Sequence, residues 1–540
     1  MTAQEALKHY FGYDSFRPLQ EEVIESVLSG KDTLALMPTG GGKSLCFQVP
    51  TMVMEKLTLV ITPLIALMKD QVEHLKDRRI LATAIYSGMS YDKQKVALDN
   101  CLFGPYRFLY VSPERLENED FRKRLEALPI GLIVVDEAHC ICEWGYDFRP
   151  SYLRIASIRR EGVPILALTA TATAEVAEDI QTQLAFRERN IIRQSFRRQN
   201  LQYVVRTCAD LNEKVAQMQH IVSRVEGSVI VYVRNRKHAE EWAHILGTHC
   251  YHAGLDPVTR ARRQEQWMQA DASSPLRVIV CTNAFGMGID KPDVRLVLHV
   301  DLPDSIESYF QEAGRAGRDG EKAYAVLLFA PLDITIARRR VAENYPSQEF
   351  VEKVYHKLSD YLMVGAGSGL GHTFMVHLFD FISRMHLPSQ STLAALQWLT
   401  TAGYIAFEPE QETQARVRID MPVYELRQCT FSDEQETLLQ SLMRRYTGIF
   451  TDLQYLHEPM TNDLHQLLVS LAQRRIITYV PRTVAARVTY VQERQTQVFL
   501  PKGLYGRLRE RYIGRLKAIL DYAQTPEDKQ TFLVSYFGEE

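Results

Sequence analysis

The residues best equipped for chemistry lie in three short stretches near the N-terminus. MPTGGGKS, residues 37 to 44, follows the apolar run TLALM and precedes LCFQVPTMVM, which reads as a helix. A strand feeding a glycine-rich turn and then a helix is what a phosphate-binding loop requires. Gly40, Gly41 and Gly42, with Thr39, let backbone N–H groups close around phosphate oxygens. Lys43 brings a compact positive charge to the terminal phosphates, and the Ser44 hydroxyl suits Mg²⁺. Met37 stands where the strict G-x-x-x-x-G-K-[ST] pattern has its first glycine. In the second stretch, GLIVVDEAHC, four apolar residues (Leu132 to Val135) lead directly into Asp136 and Glu137. That is a buried parallel strand ending in two carboxylates. At such a tip one acid holds Mg²⁺, usually through water, and its neighbour polarises the attacking water for phosphoryl transfer. Asp136 is assigned to the metal and Glu137 to the water. Alone, this string reads equally well as a solvated strand end; the Lys43 loop ahead of it favours the nucleotide site.

The third stretch, YFGYDSFRPLQEEVI (residues 10 to 24), lies just upstream of the loop. The Gln20 amide, at once donor and acceptor, matches the adenine edge, and Tyr13 or Arg17 can stack on the ring. By itself the segment is equally a capped amphipathic helix. The three stretches together specify ATP with Mg²⁺.

These groups need a rigid frame, and the sequence supplies the periodicity of one. β-branched apolar runs recur beyond the acids, as SVIVYV (228–233) and RVIVC (277–281), separated by charged helical segments. This predicts a second parallel-sheet lobe. Near its end QEAGRAGRDG (311–320) places Arg315 and Arg318 three apart on a presumed helix, with Gln311 one turn earlier. Such a pair projects to one side and can meet a triphosphate across a cleft.

Composition sets the outer limits. At 540 residues the chain exceeds one hydrophobic core, so three or four domains are expected. Hydrophobic residues at 46% and charged residues at 24% place it among soluble globular proteins. No apolar run is long enough to span a bilayer and the start is polar, which predicts a cytoplasmic chain without membrane attachment. The eight cysteines include no C-x-x-C pair, which excludes a disulfide framework and predicts no zinc. A net charge of −3 leaves any nucleic-acid contact to local basic patches.

FGYDSFRPLQ, PTGGGKS, TPLIALMKDQV, YVSPERL, DEAHCICEWGYDFRPSY and ALTATAT occur in an order that resembles the RecQ helicases, within superfamily 2, from residue 7 to about 330. The resemblance implies an α/β fold of two RecA-like parallel-sheet lobes, residues 1–195 and 196–335, before a mainly helical, winged-helix-like region, 336–540. It identifies CICEWGYDFRPSY (140–152) as the family's aromatic-rich loop, which senses single-stranded DNA, and assigns DNA contact to Trp144, Phe148 and Arg149. Rings that stack on bases and an arginine that meets phosphate suit that task. Thr169 and Thr171 match the motif coupling hydrolysis to lobe movement, and Gly288 and Asp290 fall at the implied interface of the lobes. The implied activity is ATP-driven 3′ to 5′ helicase action by a monomer on single-stranded and tailed duplex DNA, serving recombination, repair or replication. A DNA-stimulated ATPase that clamps without separating strands is the alternative. An RNA helicase is disfavoured because general RNA helicases of the superfamily lack the aromatic segment.

The last third is less explicit. GAGSGLG (365–371) has neither an entering strand nor a following lysine, so it reads as a loop and not a second nucleotide site. STLAALQWLTTAGYIAFEP (391–409) reads as a helix ended by Gly403 and then a strand, a winged-helix pattern. NDLHQLLVSLAQRRIITYVPR (462–482) repeats the plan, with a hairpin expected through RVTYVQERQTQVFL. Winged-helix units bind duplex DNA or only proteins. LYGRLRERYIGRLKAIL sets Leu504, Leu508, Tyr512 and Leu516 in one stripe, with Arg507, Arg511 and Arg515 beside it, a solvated face or a phosphate grip. LVSYFGEE resembles sequence that in relatives accompanies a four-cysteine zinc module, but the cysteines are absent.

Overall fold

Strand β1 (Thr33–Leu36) begins one residue after Asp32, whose buried carboxylate anchors the first lobe. It accepts hydrogen bonds from the backbone N–H of Ile165 (3.0 Å) and Arg187 (2.9 Å) and forms ion pairs with Arg159 and Arg187. In this computed structural model the described residues are 1–38, 40–86, 88–142, 149–286, 289, 291–413, 415–446, 448–456, 462–481 and 483–539. The other strands of the lobe are β2 (Leu57–Ile61), β3 (Ala82–Ile85), β4 (Phe108–Val111), β5 (Ile130–Val135), β6 (Ile165–Thr169) and β7 (Ile191–Arg193). They form one parallel sheet in the order β3-β4-β2-β5-β6-β1-β7. Helices cover both faces, so strand residues are buried whichever way they point, as uninterrupted apolar runs predict. In β5, Ile133 and Val135 join one core, with Tyr152 and Ile155, while Leu132 and Val134 join the other, with Phe47 and Tyr110.

The second lobe repeats the plan with β8 (Leu201–Thr207), β9 (Ser228–Tyr232), β10 (His249–Tyr251), β11 (Val278–Cys281), β12 (Val294–His299) and β13 (Ala323–Phe329). All are parallel, in the order β10-β11-β9-β12-β13-β8.

Two compact units organise the chain: residues 1–338 with 510–540, and residues 339–509. The C-terminal segment therefore returns to the lobes. Tyr522 donates to the Tyr309 hydroxyl (3.1 Å) and Tyr536 to Glu307 (2.9 Å). Phe537 packs on Phe196 and Phe310, at centroid distances of 4.7 and 5.0 Å. Glu539 accepts the N–H of Phe196 (2.9 Å) and the hydroxyl of Ser195 (2.8 Å). The segment thus joins the end of the first lobe to the helix Ile306–Ala313 of the second.

The other unit has its own core of Val354, Leu358, Phe381, Trp398, Leu399 and Tyr490. It carries β14 (Thr373–Val376), β15 (Ile405–Thr413), β16 (Arg416–Ile419), β17 (Gln454–Tyr455), β18 (Ile477–Val480) and β19 (Thr483–Tyr490), in two antiparallel three-stranded sheets, β14-β19-β15 and β17-β16-β18. The helix Ser389–Thr401 ends as expected, with Gly403 at a φ of +78°, and GAGSGLG lies outside helix and strand. The second repeat does have its helix, Asn462–Gln473, and strand β18, but the expected hairpin does not form. Pro481, without an N–H, interrupts the ladder, and β18 and β19 join different sheets. Both edges of β19 are taken by β14 and β15, leaving none for a hairpin partner. The residues beyond make isolated bonds instead, as Val491 N–H does to the Tyr404 carbonyl (3.2 Å) and Phe499 N–H to the Tyr404 hydroxyl (2.9 Å). Residues 416–480 are therefore a small folded insertion between β15 and β19, with a core of Leu439, Leu442, Leu468 and Leu471. Among the described residues no helix is long and apolar enough to cross a membrane.

Candidate active site

The glycine-rich turn leaves the C-terminal end of β1, and the acids leave that of β5, two strands away in the sheet. Ligands of open parallel sheets collect at that end. Gly40 and Gly42 have φ of +82° and +77°, so the turn needs glycine there. The Arg17 guanidinium donates to the Gly40 carbonyl (2.6 Å). Gln20 is buried; its amide donates to the carbonyls of Gly42 (3.0 Å) and Gly41 (3.4 Å) and accepts the Arg17 N–H (2.8 Å). The segment read as the adenine-facing one therefore also braces the phosphate turn. Tyr13, half exposed, lines the same recess as Arg17 and Gln20.

Asp136 accepts the Thr62 hydroxyl (3.2 Å) and the N–H of Glu137 (3.0 Å). Burial, then the charge of Glu137, push its carboxyl up to about 6, against the pull of Lys43. Burial also opposes ionisation of Glu137, but Lys43, His139 and Arg315 outweigh it and hold that carboxyl below the usual range. Glu137 adopts a left-handed backbone, φ +48°, costly for a residue with a side chain. Its buried Oε2 receives no hydrogen bond among the described residues.

From the second lobe, Arg315, Arg318 and Gln311 line the same cleft as Gly40, Gly42, Lys43, Ser44, Asp136 and Glu137, a space of about 250 Å³. The helix expected to carry both arginines is shorter than predicted. It ends at Ala313, with Gly314 as its cap, and both arginines follow in tight turns. The reason is Gly317, which at φ +63° turns the chain so that its N–H bonds the Val294 carbonyl at the start of β12. Arg315 is buried and donates to the Gly286 carbonyl, and Arg318 to that of Ile289 (2.6 Å). A Cβ added at Gly40 would lie 3.2 Å from Cγ of Arg318, so glycine there permits the approach of the second lobe.

The cleft fits a magnesium nucleotide. A Cβ at Gly42 would collide with the Gln20 amide, and one at Gly41 would lie 3.0 Å from the Pro38 carbonyl, so backbone alone lines the turn. Two half-buried carboxylates, Asp136 and Glu137, face a lysine and two arginines. Hard oxygen donors such as Asp136 and a serine hydroxyl suit Mg²⁺. Among the described residues no group of three His, Cys, Asp or Glu is placed to hold a metal ion, and none of the eight cysteines is in a disulfide.

Thr39, Trp144, Phe148, Gly288 and Asp290 lie outside the described residues. Arg149 is described, half-buried, with its guanidinium 3.4 Å from the Pro63 carbonyl. Sequence reasoning missed the helix Ile65–Asp77, which presents Asp70, Gln71 and His74 to the cleft. Its signal was helical spacing opposite the buried face of Met68, Val72 and Leu75.

The DEAD/DEAH box helicase family model matches residues 17–180, and the helicase conserved C-terminal domain model matches residues 213–320. The chain is 39% identical over 399 residues to the probable ATP-dependent DNA helicase RecS of Bacillus subtilis (strain 168), a match covering 70% of this chain and 79% of that protein. To the ATP-dependent DNA helicase RecQ of the same organism it is 40% identical over 370 residues, covering 66% of this chain and 62% of the relative, less than two thirds of its length. A solved structure, the DUF1998 helicase MrfA bound to DNA, superposes with a TM-score of 0.52 at 18% identity, over 63% of this chain and 50% of that one, and speaks for the fold alone. With the phosphate turn, the paired acids and the arginines gathered on one cleft, and with identity of this extent to RecS, the chain belongs to the RecQ family of ATP-dependent DNA helicases.

Proposed function

We propose that this chain couples ATP hydrolysis to 3′ to 5′ movement along single-stranded DNA and to separation of the duplex ahead, in recombination, repair or replication. The observation that carries this reading is the shared cleft: Lys43, Asp136 and Glu137 from one parallel sheet face Arg315 and Arg318 from another. Lys43 and the turn of residues 39–44 bind the phosphates, with Tyr13, Arg17 and Gln20 at the adenine end. Glu137 orients the attacking water. Ser44 and Asp136 would hold Mg²⁺, which when bound screens the charge of the β- and γ-phosphates. Arg315 and Arg318 stabilise charge that builds up as the phosphoryl group leaves, and Gln311, on the helix before them, helps orient it. Groups of one phosphate are thus gripped from both lobes, so cleavage releases the grip and lets the lobes part. Gly288 and Asp290 belong to the coupling surface in this reading.

Residues 1–195 and 196–335 act as the two motor lobes, and residues 336–540 supply an accessory region that meets DNA through its winged-helix-like units. Trp144, Phe148 and Arg149 are the proposed strand contacts, and DNA is preferred to RNA because of that aromatic segment. The working form is a cytoplasmic monomer.

The test is separation of a labelled duplex bearing a 3′ single-stranded tail, with ATP and Mg²⁺, beside its 5′-tailed counterpart. Separation of the 3′-tailed substrate alone is expected. DNA-stimulated hydrolysis with both duplexes intact would reduce the protein to a translocase or clamp, and stimulation by RNA but not DNA would overturn the substrate.

A further inference from the structure

The nucleotide site consists of two spaces that meet. The cleft of about 250 Å³ is lined by Lys43, Asp136, Glu137 and Arg315, and a recess of about 470 Å³ beside it is lined by Tyr13, Arg17 and Gln20. Gly40, Gly42, Ser44, Gln71, His74 and Arg318 line both. A nucleoside triphosphate is built in the order phosphates, sugar, base. With its phosphates in the cleft and its base in the recess, its ribose lies at this shared boundary.

Most of that boundary is committed to other atoms of the ligand. The two glycines wrap backbone around the phosphates, Ser44 belongs to Mg²⁺, and Arg318 to the triphosphate. Gln71 and His74 have no such task. They lie three apart on the helix Ile65–Asp77 and so neighbour each other on one side of it. Burial of Met68, Val72 and Leu75 fixes that helix to the lobe. Gln71 Oε1 accepts the Gln48 amide N–H (3.2 Å), which directs the N–H₂ of Gln71 away from Gln48. The Asp70 carboxylate stands 3.7 Å from Nδ1 of His74, which favours a proton on that nitrogen and leaves Nε2 as an acceptor. A donor and an acceptor side by side match a vicinal diol, whose hydroxyls each give and take hydrogen bonds.

We propose that Gln71 and His74 read the ribose of ATP: the Gln71 amide donates a hydrogen bond to one sugar hydroxyl, and His74 Nε2 accepts one from the other. The proposal rests on the ATP reading above and adds to it a preference for the ribonucleotide over its deoxy counterparts, each of which lacks one partner. His74 is exposed and Gln71 half-buried, so the sugar is met where water competes. Each bond then contributes the modest net amount of a neutral contact. Discrimination is a matter of several-fold for each hydroxyl, not of orders of magnitude.

The experiment uses the full chain with a saturating oligothymidylate and measures kcat/KM for ATP, 2′-deoxyATP, 3′-deoxyATP and ITP. Wild type is compared with His74→Ala and Gln71→Leu, each variant first matched to wild type in thermal melting. In wild type each deoxy analogue should fall about 2- to 10-fold below ATP, the effect of one net hydrogen bond. Each variant should lose the preference for ATP over one analogue, a different one in each. The remaining deoxy preference should stay as in wild type, and so should that for ATP over ITP, which differs only in the base. A wild type that uses ATP and both deoxy analogues alike overturns the proposal. So do variants that slow all four nucleotides by one common factor, which would make the two residues part of the cleft wall and nothing more. A changed ratio of ATP to ITP at unchanged deoxy ratios also overturns it, by moving these residues to the base. His74 is exposed and its replacement leaves the core intact, so if Gln71→Leu fails to fold, His74→Ala decides alone. If wild type hydrolyses none of the four nucleotides, the ATP reading itself fails, and this proposal with it.

Discussion

His139 Nδ1 shares a hydrogen bond of 2.9 Å with the Thr169 hydroxyl, and the same nitrogen lies 3.4 Å from the Glu137 carboxylate. The tips of β5 and β6 are therefore joined through one imidazole. The Thr169 hydroxyl also accepts the Thr171 N–H, at 3.3 Å, so displacement of Glu137 is transmitted to the backbone leaving β6.

This link predicts an uncoupling variant. In His139→Ala the phosphate turn and both acids remain, so ATP hydrolysis should continue. The His139–Thr169 hydrogen bond contributes about 0.5–1.5 kcal/mol, so strand separation per ATP hydrolysed should fall about 2- to 10-fold. The check is the ratio of unwinding to hydrolysis on one tailed duplex. Parallel losses of both activities would place His139 in the chemical step instead.

Arg315 lowers the pKa of Glu137 across the cleft, although the two residues belong to different lobes. Arg315→Ala should reduce kcat by about 10³-fold or more, as loss of a charge-stabilising arginine does in phosphoryl transfer, with a much smaller effect on ATP affinity. Steady-state hydrolysis at saturating DNA, set beside binding of a fluorescent ATP analogue, separates the two. A rise in Kd that accounts for the whole loss would make Arg315 a ground-state contact only.

Much of this site could be read from the sequence because its residues are close together in the chain. Lys43 follows its glycines directly, and Asp136 follows the apolar run that buries its strand. What escaped depends on pairing between distant segments. Nothing local in TYV or RVRI indicates that β18 pairs with β16, or that β19 is closed on both edges before a hairpin can form. Gln20 shows an intermediate case. Its place near the glycine-rich turn follows from sequence order, but its hydrogen bonds to the Gly42 and Gly41 carbonyls appear only when helix and turn are brought together. Arg315 and Arg318 line the cleft from turns that follow the helix and not from the helix itself, because helical spacing says nothing of the bond from Gly317 to β12.

Gly42 and Gly30 share a left-handed backbone, at φ of +77° and +80°, yet their surroundings differ. A Cβ at Gly42 strikes the Gln20 amide, whereas one at Gly30 meets nothing within 4 Å. Both alanine variants should lose about 1 kcal/mol of stability from the backbone. Gly42→Ala alone should also displace Gln20 and raise the KM for ATP by about 10-fold, a cost near 1.4 kcal/mol. Equal KM values in the two variants would show that the turn tolerates a side chain and that the Gln20 brace is dispensable.

Asp32 sets the acid limit of the first lobe. Burial alone would raise its pKa, but bonds from Arg187, then Arg159 and the Ile165 N–H, hold the carboxyl below the ordinary aspartate range. A lowered folded-state pKa means that this stabilisation is complete above the unfolded value, about 3.9, and is lost as pH falls through the folded one. Asp32→Asn removes the charge at every pH and turns an amide toward arginine donors. Breaking a buried pair costs about 3–5 kcal/mol, and the partial exposure of Arg187 puts this site at the low end. Calorimetry should therefore show the lowest-temperature transition of Asp32→Asn well below that of wild type at pH 7. The gap should narrow as both proteins are taken below about pH 4, where wild type loses the same charge. A gap that stays constant into that range would mean that packing around Asp32, and not its ionisation, secures β1 to the rest of the sheet.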